Sequence, residues 1–244
     1  MIAVKNIGKR TICGNFSAPD FPTRFRESVN CPKCTQDVLI NSVFCIHCGY
    51  HLGIAKELFG FEDVHFHPLT DLADCLRKDE RDSLVELISD LERRFPQLWF
   101  GICFVGLPER TSLREFGFWL LNHAAVVNGD PMRPNENGVL LSVDLTSRAA
   151  GLTLGYFVER FLSDGDLFRS LNAGARQLAK GEFETGVRRT IDRFAKILAR
   201  RARVAARRPE KFARLQPVEP EELKLQPIRQ SPAAADVSEV PIAK

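Results

Sequence analysis

The sequence predicts an α/β fold with a mixed sheet, preceded by a small cysteine-containing module and followed by a proline-rich tail. Three observations predict it. Helical periodicities alternate with short apolar runs between residues 69 and 208, four cysteines form two pairs between positions 31 and 48, and five prolines follow Leu215. The 244 residues are 44% hydrophobic and 27% charged, which is ordinary for a soluble globular protein. This composition excludes disorder throughout and a collagen-like fibre.

The α/β domain is predicted from patterns that follow one another along the chain. Apolar residues recur at three- and four-residue spacing over 79–96, from Ser112, over 163–180 and from Glu182, which predicts four amphipathic helices. Short apolar runs over 99–107, 138–145 and 150–158 predict buried strands. The last two runs are joined by the short connection Thr146-Ser147-Arg148, so they predict an antiparallel hairpin in a mixed sheet. Ser163 is expected to cap the third helix.

Composition divides the chain into five segments. Residues 1–29 lack sustained periodicity and predict a flexible arm, residues 30–52 hold the cysteine module, and residues 53–68 are interpreted as a linker. Residues 69–208 form the predicted α/β domain with a basic C-terminal helix. Residues 209–244 predict a disordered tail, because so proline-rich a segment buries too little apolar area to offset chain entropy.

The cysteine module predicts a zinc ribbon. Two CxxC pairs lie ten residues apart, a spacing suited to tetrahedral zinc held by Cys31, Cys34, Cys45 and Cys48. Gly49 follows the second pair, where a knuckle often needs a residue without a side chain. A closed four-cysteine shell predicts a structural zinc, with His47 and His51 as bystanders. The alternative is four unligated thiols in a flexible loop. Seven cysteines in all, an odd number, argue against a disulfide framework.

The net charge of +3 is unevenly distributed. Residues 182–214 carry eleven Lys or Arg and four acids. This basic helix end has three interpretations, namely a solvated helix, a contact with nucleic acid or an anionic surface, and a protein contact. A nucleic-acid partner is not favoured, because Phe212 alone is available for base stacking. The longest apolar run has nine residues, whereas crossing a bilayer takes about 20, so we expect no membrane span and a cytoplasmic protein.

Three motifs in the α/β domain carry a resemblance to a known family. They are Asp71-Leu72-Ala73, Asn137-Gly138-Val139-Leu140-Leu141, and the segment from Gly155-Tyr156 to Ser163-Asp164. In this order they resemble the TPM-domain family, named after a thylakoid lumen phosphatase. The resemblance implies a mixed sheet sandwiched by helices and, in some members, divalent-metal binding and weak phosphatase activity. Phe157 and Arg160 depart from the family pattern and are expected to crowd the third motif.

The acids near these motifs give a second candidate site. Asp71, Glu136, Glu159 and Asp164 are hard oxygen ligands of the kind that Ca²⁺ or Mg²⁺ takes. The alternative is that they cap helices one by one or lie in loops.

The sequence favours a noncatalytic adaptor with a protein partner. It contains no GxSxG, P-loop or HExxH motif, so no nucleophile or catalytic zinc is recognisable. A weak divalent-metal-dependent phosphatase is the alternative, and a nucleic-acid accessory protein is the third hypothesis. Whether the chain is an enzyme stays open at this point.

Overall fold

The computed structural model describes residues 2–4, 28–39, 42–61, 64–109, 111–126 and 135–208. The predicted tail, and most of the predicted arm, lie outside these residues. In chain order the elements are β1 (Ile2–Val4), β2 (Ser28–Asn30), β3 (Asp37–Leu39), α1 (Leu52–Phe59), β4 (Val64–Phe66), β5 (Leu69–Asp71), α2 (Lys78–Arg94), β6 (Trp99–Val105), α3 (Leu113–His123), β7 (Ala124–Val126), a 3₁₀ turn (Asn135–Asn137), β8 (Gly138–Asp144), β9 (Ala149–Leu154), α4 (Tyr156–Glu159), α5 (Asp164–Ala179) and α6 (Phe183–Arg207).

Five strands form the main sheet in the order β1-β9-β8-β6-β5. Strands β5, β6 and β8 are parallel, whereas β8 with β9 and β9 with β1 are antiparallel. The mixed sheet and its hairpin are therefore confirmed. Two short pairs lie beside it, β2 with β3 antiparallel and β4 with β7 parallel.

Both faces of the sheet are buried, and the side chains of strand β6 contribute to the core on each face. Its alternate residues Phe100, Ile102 and Phe104 pack with α2, α5 and α6 on one face. Trp99 and Cys103 point to the opposite face. That second face is covered by α3 together with α1 and the cysteine module. The predicted sandwich of helices around a mixed sheet is confirmed.

Three parts of the chain differ from the local patterns. The segment interpreted as a linker, 53–68, contains most of α1 and all of β4, and the predicted arm includes β1 and most of β2. The strand predicted over 150–158 ends at Leu154, because the chain turns at Gly155 into α4. Helix α1 was not predicted from the sequence, and its fully buried Ala55 packs in a cluster that includes residues of α3 far along the chain.

No helix in the described ranges combines the length and the apolar character that crossing a membrane requires.

Candidate functional site

The two CxxC pairs fold into two turns of the same geometry. The carbonyl of Cys31 accepts a hydrogen bond from the Thr35 N–H at 3.0 Å, and that of Cys45 accepts one from the Gly49 N–H at 2.8 Å. The residue after each pair is left-handed, with φ of 65° at Thr35 and 71° at Gly49. Glycine adopts this conformation without steric cost, as the sequence indicated. Thr35 reaches it despite its β-branched side chain.

The turns bring the four sulfur atoms together. All four Sγ atoms lie within 4.8 Å of one another, with Cys31 and Cys48 3.7 Å apart and Cys34 and Cys45 3.6 Å apart. A tetrahedron with Zn–S bonds of about 2.3 Å has S···S edges of about 3.8 Å. The four cysteines are therefore close enough to bind a metal such as zinc. Within the described ranges, no other group of three or more His, Cys, Asp or Glu side chains is as close.

Backbone N–H groups point at the sulfurs. Burial raises the pKa of Cys45, but the N–H groups of His47 and Cys48 outweigh it and lower that pKa to about 6. Burial raises the pKa of Cys31 to about 12. Four thiolates this close repel one another unless a cation lies between them, so a divalent metal suits the set. Because all four positions would be sulfur, no coordination position stays open for water or substrate.

The cysteine module is held against α3. The Tyr50 ring lies 6.0 Å from that of Phe118. Phe59 of α1 lies 5.5 Å from Trp119, whose Nε1 donates a hydrogen bond to the Gly60 carbonyl at 3.1 Å. The module and α1 thus form one packed unit with the second face of the sheet.

A groove of about 460 Å³ separates the module from the third sequence motif. One wall is built from β2, β3 and the chain leading into the second turn, including Phe44. The other wall is built from α3, the 3₁₀ turn and α4. Among the described residues, its lining includes Glu136, Glu159 and many apolar side chains, and no Lys or Arg. We call this the ribbon–α4 groove.

Two of the sequence motifs meet beside this groove. The Gly155 N–H donates to the Gly138 carbonyl at 2.8 Å, joining the start of β8 to the end of β9. A Cβ at Gly155 would lie 2.2 Å from the carbonyl oxygen of Glu136. Glycine is therefore required here by the close approach of two backbones.

Three of the four predicted divalent ligands lie at or near the groove. Glu136 and Glu159 line it. Asp164 accepts a 3.4 Å hydrogen bond from Asn30, which also lines the groove. Burial raises the pKa of the neighbouring Tyr156, and the charges of Glu159 and Glu136 raise it further.

Asp71 is separate from the other three acids. It ends β5 opposite Phe104, near the carboxyl ends of β6 and β8, whereas the groove lies where β8 begins. Its carboxylate accepts the N–H groups of Cys75 and Leu76 and pairs with Arg81 at 3.0 Å. These bonds order the turn before α2. No three of the four acids come within 4.8 Å of one another, so the structure does not assemble the set as one site.

Contrary to expectation, Phe157 and Arg160 do not occupy the groove beside the third motif. Phe157 is 41% exposed, packs edge-on against Phe161 with ring centroids 5.3 Å apart, and does not line the groove. Arg160 does not line it either. Because α4 is a single turn, successive side chains point in different directions, and Tyr156 faces the groove while Phe157 faces away.

The sequence reasoning missed the contribution of the cysteine module to this groove. Asn30 and Phe44 line it, yet they belong to a segment interpreted only as a metal-binding unit. The sequence does contain an indication of this surface. Val43, Phe44 and Ile46 are large apolar residues in a module that is too small to bury them.

Comparisons with known proteins give one family match and similar solved structures. The family model for the TPM domain matches residues 69–197. The solution NMR structure of the N-terminal domain of a Corynebacterium glutamicum protein is 13% identical, with a TM-score of 0.42, over 56% of this chain and 82% of that one. The N-terminal domain of a P. gingivalis protein, also solved by NMR, is 18% identical, with a TM-score of 0.42, over 53% and 80%.

A comparison with curated proteins gives no significant match. The TPM family match covers just over half of the 244 residues. The chain therefore belongs to the TPM-domain family.

Proposed function

We propose that the protein is a noncatalytic adaptor whose ribbon–α4 groove binds an apolar segment of a protein partner that also carries Lys or Arg. The observation that carries the proposal is the exposed apolar tip of the cysteine module. Leu39, Val43, Phe44 and Ile46 are 55–86% exposed within eight residues of chain. Apolar side chains concentrated on one small surface favour contact with a protein.

The charge of the groove supports a basic partner segment. Glu136 and Glu159 contribute two carboxylates to its lining, and no Lys or Arg in the described part of the chain offsets them there. A cationic side chain of the partner would be attracted, whereas an acidic segment would be repelled. The apolar tip would supply affinity, and the carboxylates would supply selectivity.

Zinc at the four cysteines has a structural role in this proposal. The module contains few buried apolar side chains of its own, so metal binding would supply the folding energy that fixes the tip. The closed sulfur shell suits this role. The cytoplasmic location, where such thiols remain reduced, stays a prediction.

Panning a random-peptide phage library against the full chain tests the adaptor proposal. Enriched peptides are expected to combine two or more apolar residues with Lys or Arg. Phe44→Ser is expected to weaken an enriched peptide at least about tenfold in fluorescence anisotropy, because it removes an apolar contact of hot-spot size. Glu136→Gln is expected to cause a smaller loss that fades as salt is added.

Val85→Ser is the matched control, because Val85 is also half exposed but lies on α2. It should leave peptide affinity unchanged, and all variants should retain their zinc content. Enrichment of no peptide, or equal weakening by Phe44→Ser and Val85→Ser, would contradict the proposal.

A divalent-metal-dependent phosphatase remains the second candidate, favoured by the two carboxylates that share the groove and by Asp164 nearby. An ion bound there would stabilise the folded state by about 2.7 kcal/mol at a hundredfold excess over its Kd. Under the adaptor proposal we expect the melting temperature of the wild type to be the same with and without millimolar Mg²⁺ or Ca²⁺. A rise that Asp164→Asn and Glu136→Gln abolish would favour the phosphatase instead.

A further inference from the structure

The exposed face of α6 carries a straight row of cations. Arg189, Arg193, Lys196, Arg200, Arg203 and Arg207 are all exposed. Their spacings alternate between four and three residues, so all six fall within about 80° around the helix axis. The row runs over 19 residues, about 27 Å of helix, with a cation roughly every 5.4 Å. We call these six residues the basic stripe.

The stripe lies on a helix that is anchored over its first half, up to Leu198, and its charges are not offset by ion pairs among the described residues. The opposite side of α6 is anchored in the core by Val187, Ile191 and Phe194, which are 0–2% exposed. Within the described part of the chain, no stripe residue forms an ion pair with a carboxylate, whereas Arg188 and Arg201 on other sides of the helix do. Within the described length of α6, the acid next to the stripe on the helix surface is Asp192.

We propose that the basic stripe binds the phosphodiester backbone of a duplex nucleic acid without reading its sequence. Guanidinium groups form charge-assisted, bidentate hydrogen bonds with phosphate oxygens, and five of the six stripe residues are arginine. The stripe contains no aromatic residue, the kind of side chain on which unpaired bases mainly stack. A duplex presents its phosphates outward and needs no stacking, which favours a duplex over a single strand.

An anionic bilayer is a poorer match. Helices that lie on membranes insert apolar side chains beside their basic residues. The apolar face of α6 is already buried against the sheet, and Val204, 37% exposed, is its one exposed large hydrophobic residue. Attachment to a membrane would therefore depend on charge alone.

Binding of a fluorescein-labelled 20-base-pair DNA duplex to the full chain tests the proposal. We expect affinity to fall roughly 10²- to 10³-fold between 50 and 200 mM salt if four to six phosphates are contacted. The triple variant Arg193→Gln, Arg200→Gln, Arg207→Gln should reduce the slope of log K against log salt by about 2.7, since each lost contact removes about 0.9.

The matched control is Lys33→Gln, Lys78→Gln, Arg94→Gln, which removes three exposed charges outside α6 and changes the net charge equally. It should keep the wild-type slope, and both triple variants should melt at the wild-type temperature. An equal loss in the two variants would show attraction by net charge alone and overturn the proposal. So would absence of duplex binding at 50 mM salt, or binding to vesicles of phosphatidylserine and phosphatidylcholine without binding to the duplex.

Discussion

Replacing Cys45 with serine is expected to remove the zinc and to lower the melting temperature of the whole protein by about 6–12 °C. Cys45 is 3% exposed and is one of four sulfurs within 4.8 Å. Three thiolates and a hydroxyl make a much weaker zinc shell, and the energy of metal binding is also the folding energy of the module.

The fall in melting temperature follows from packing. Tyr50 and Phe59 lie against α3 through Phe118 and Trp119. If the module unfolds, these contacts are lost, at about 3 kcal/mol for two large apolar side chains. For a domain of this size, 1 kcal/mol shifts the melting temperature by about 2–4 °C. The α/β core is expected to stay folded, because most of its buried side chains lie on the face of the sheet that packs with α2, α5 and α6.

Metal analysis and calorimetry check this prediction. Cys31→Ser should behave as Cys45→Ser does. Cys75→Ser is the control, because Cys75 lies outside the sulfur cluster and should retain one zinc per chain. Full zinc content in Cys45→Ser would refute the metal centre. Zinc loss with an unchanged melting temperature would show that the module adds nothing to the stability of the domain.

Asp166→Asn is expected to destabilise the protein by about 3 kcal/mol or more. The carboxylate is fully buried where α5 begins and contacts Arg169 at 2.7 Å and Arg201 at 2.5 Å. It also accepts the Ser163 N–H at 3.1 Å, which completes the helix cap predicted from the sequence. Arg201 lies 35 residues away, on α6. Removing one member of a buried charged network leaves the others uncompensated, which costs about 3–5 kcal/mol.

The same network predicts a dependence on pH. Burial raises the pKa of Asp166, but the Ser163 N–H and the guanidinium groups of Arg201 and Arg169 outweigh it and hold that pKa below its ordinary value. The unfolded chain then binds a proton more readily than the folded one. The stabilisation is complete above the unfolded pKa, near pH 4, and is lost as pH falls through the folded value.

Chemical denaturation between pH 7 and pH 2 measures both effects. The wild type should lose stability below about pH 4, and Asp166→Asn should lose less in that range because the titrating group is gone. Asp82→Asn is the control, because Asp82 is exposed on α2 and should behave as the wild type. A loss below 1 kcal/mol at pH 7, or an identical acid profile for Asp166→Asn, would contradict this role for the network.

The features that depend on neighbours along the chain could be predicted from local patterns. The two CxxC pairs predicted the sulfur cluster, because each turn is closed by residues within five positions. Helices α2, α3, α5 and α6 were predicted from their apolar spacing, and β6, β8 and β9 from short apolar runs. In each case the pattern of apolar residues within the segment shows which side chains will be buried.

The tertiary structure was needed to show which of these parts lie together. It packed the cysteine module and α1 on α3, where the sequence suggested a linker, and so formed a groove to which Phe44 and Glu159 both contribute. It placed Asp71 toward the carboxyl ends of the parallel strands and Glu136 toward their amino ends, although both lie near motifs of the same family. Such placements depend on strand order and on contacts between residues far apart in sequence. Neither can be predicted from the spacing of residues within one segment.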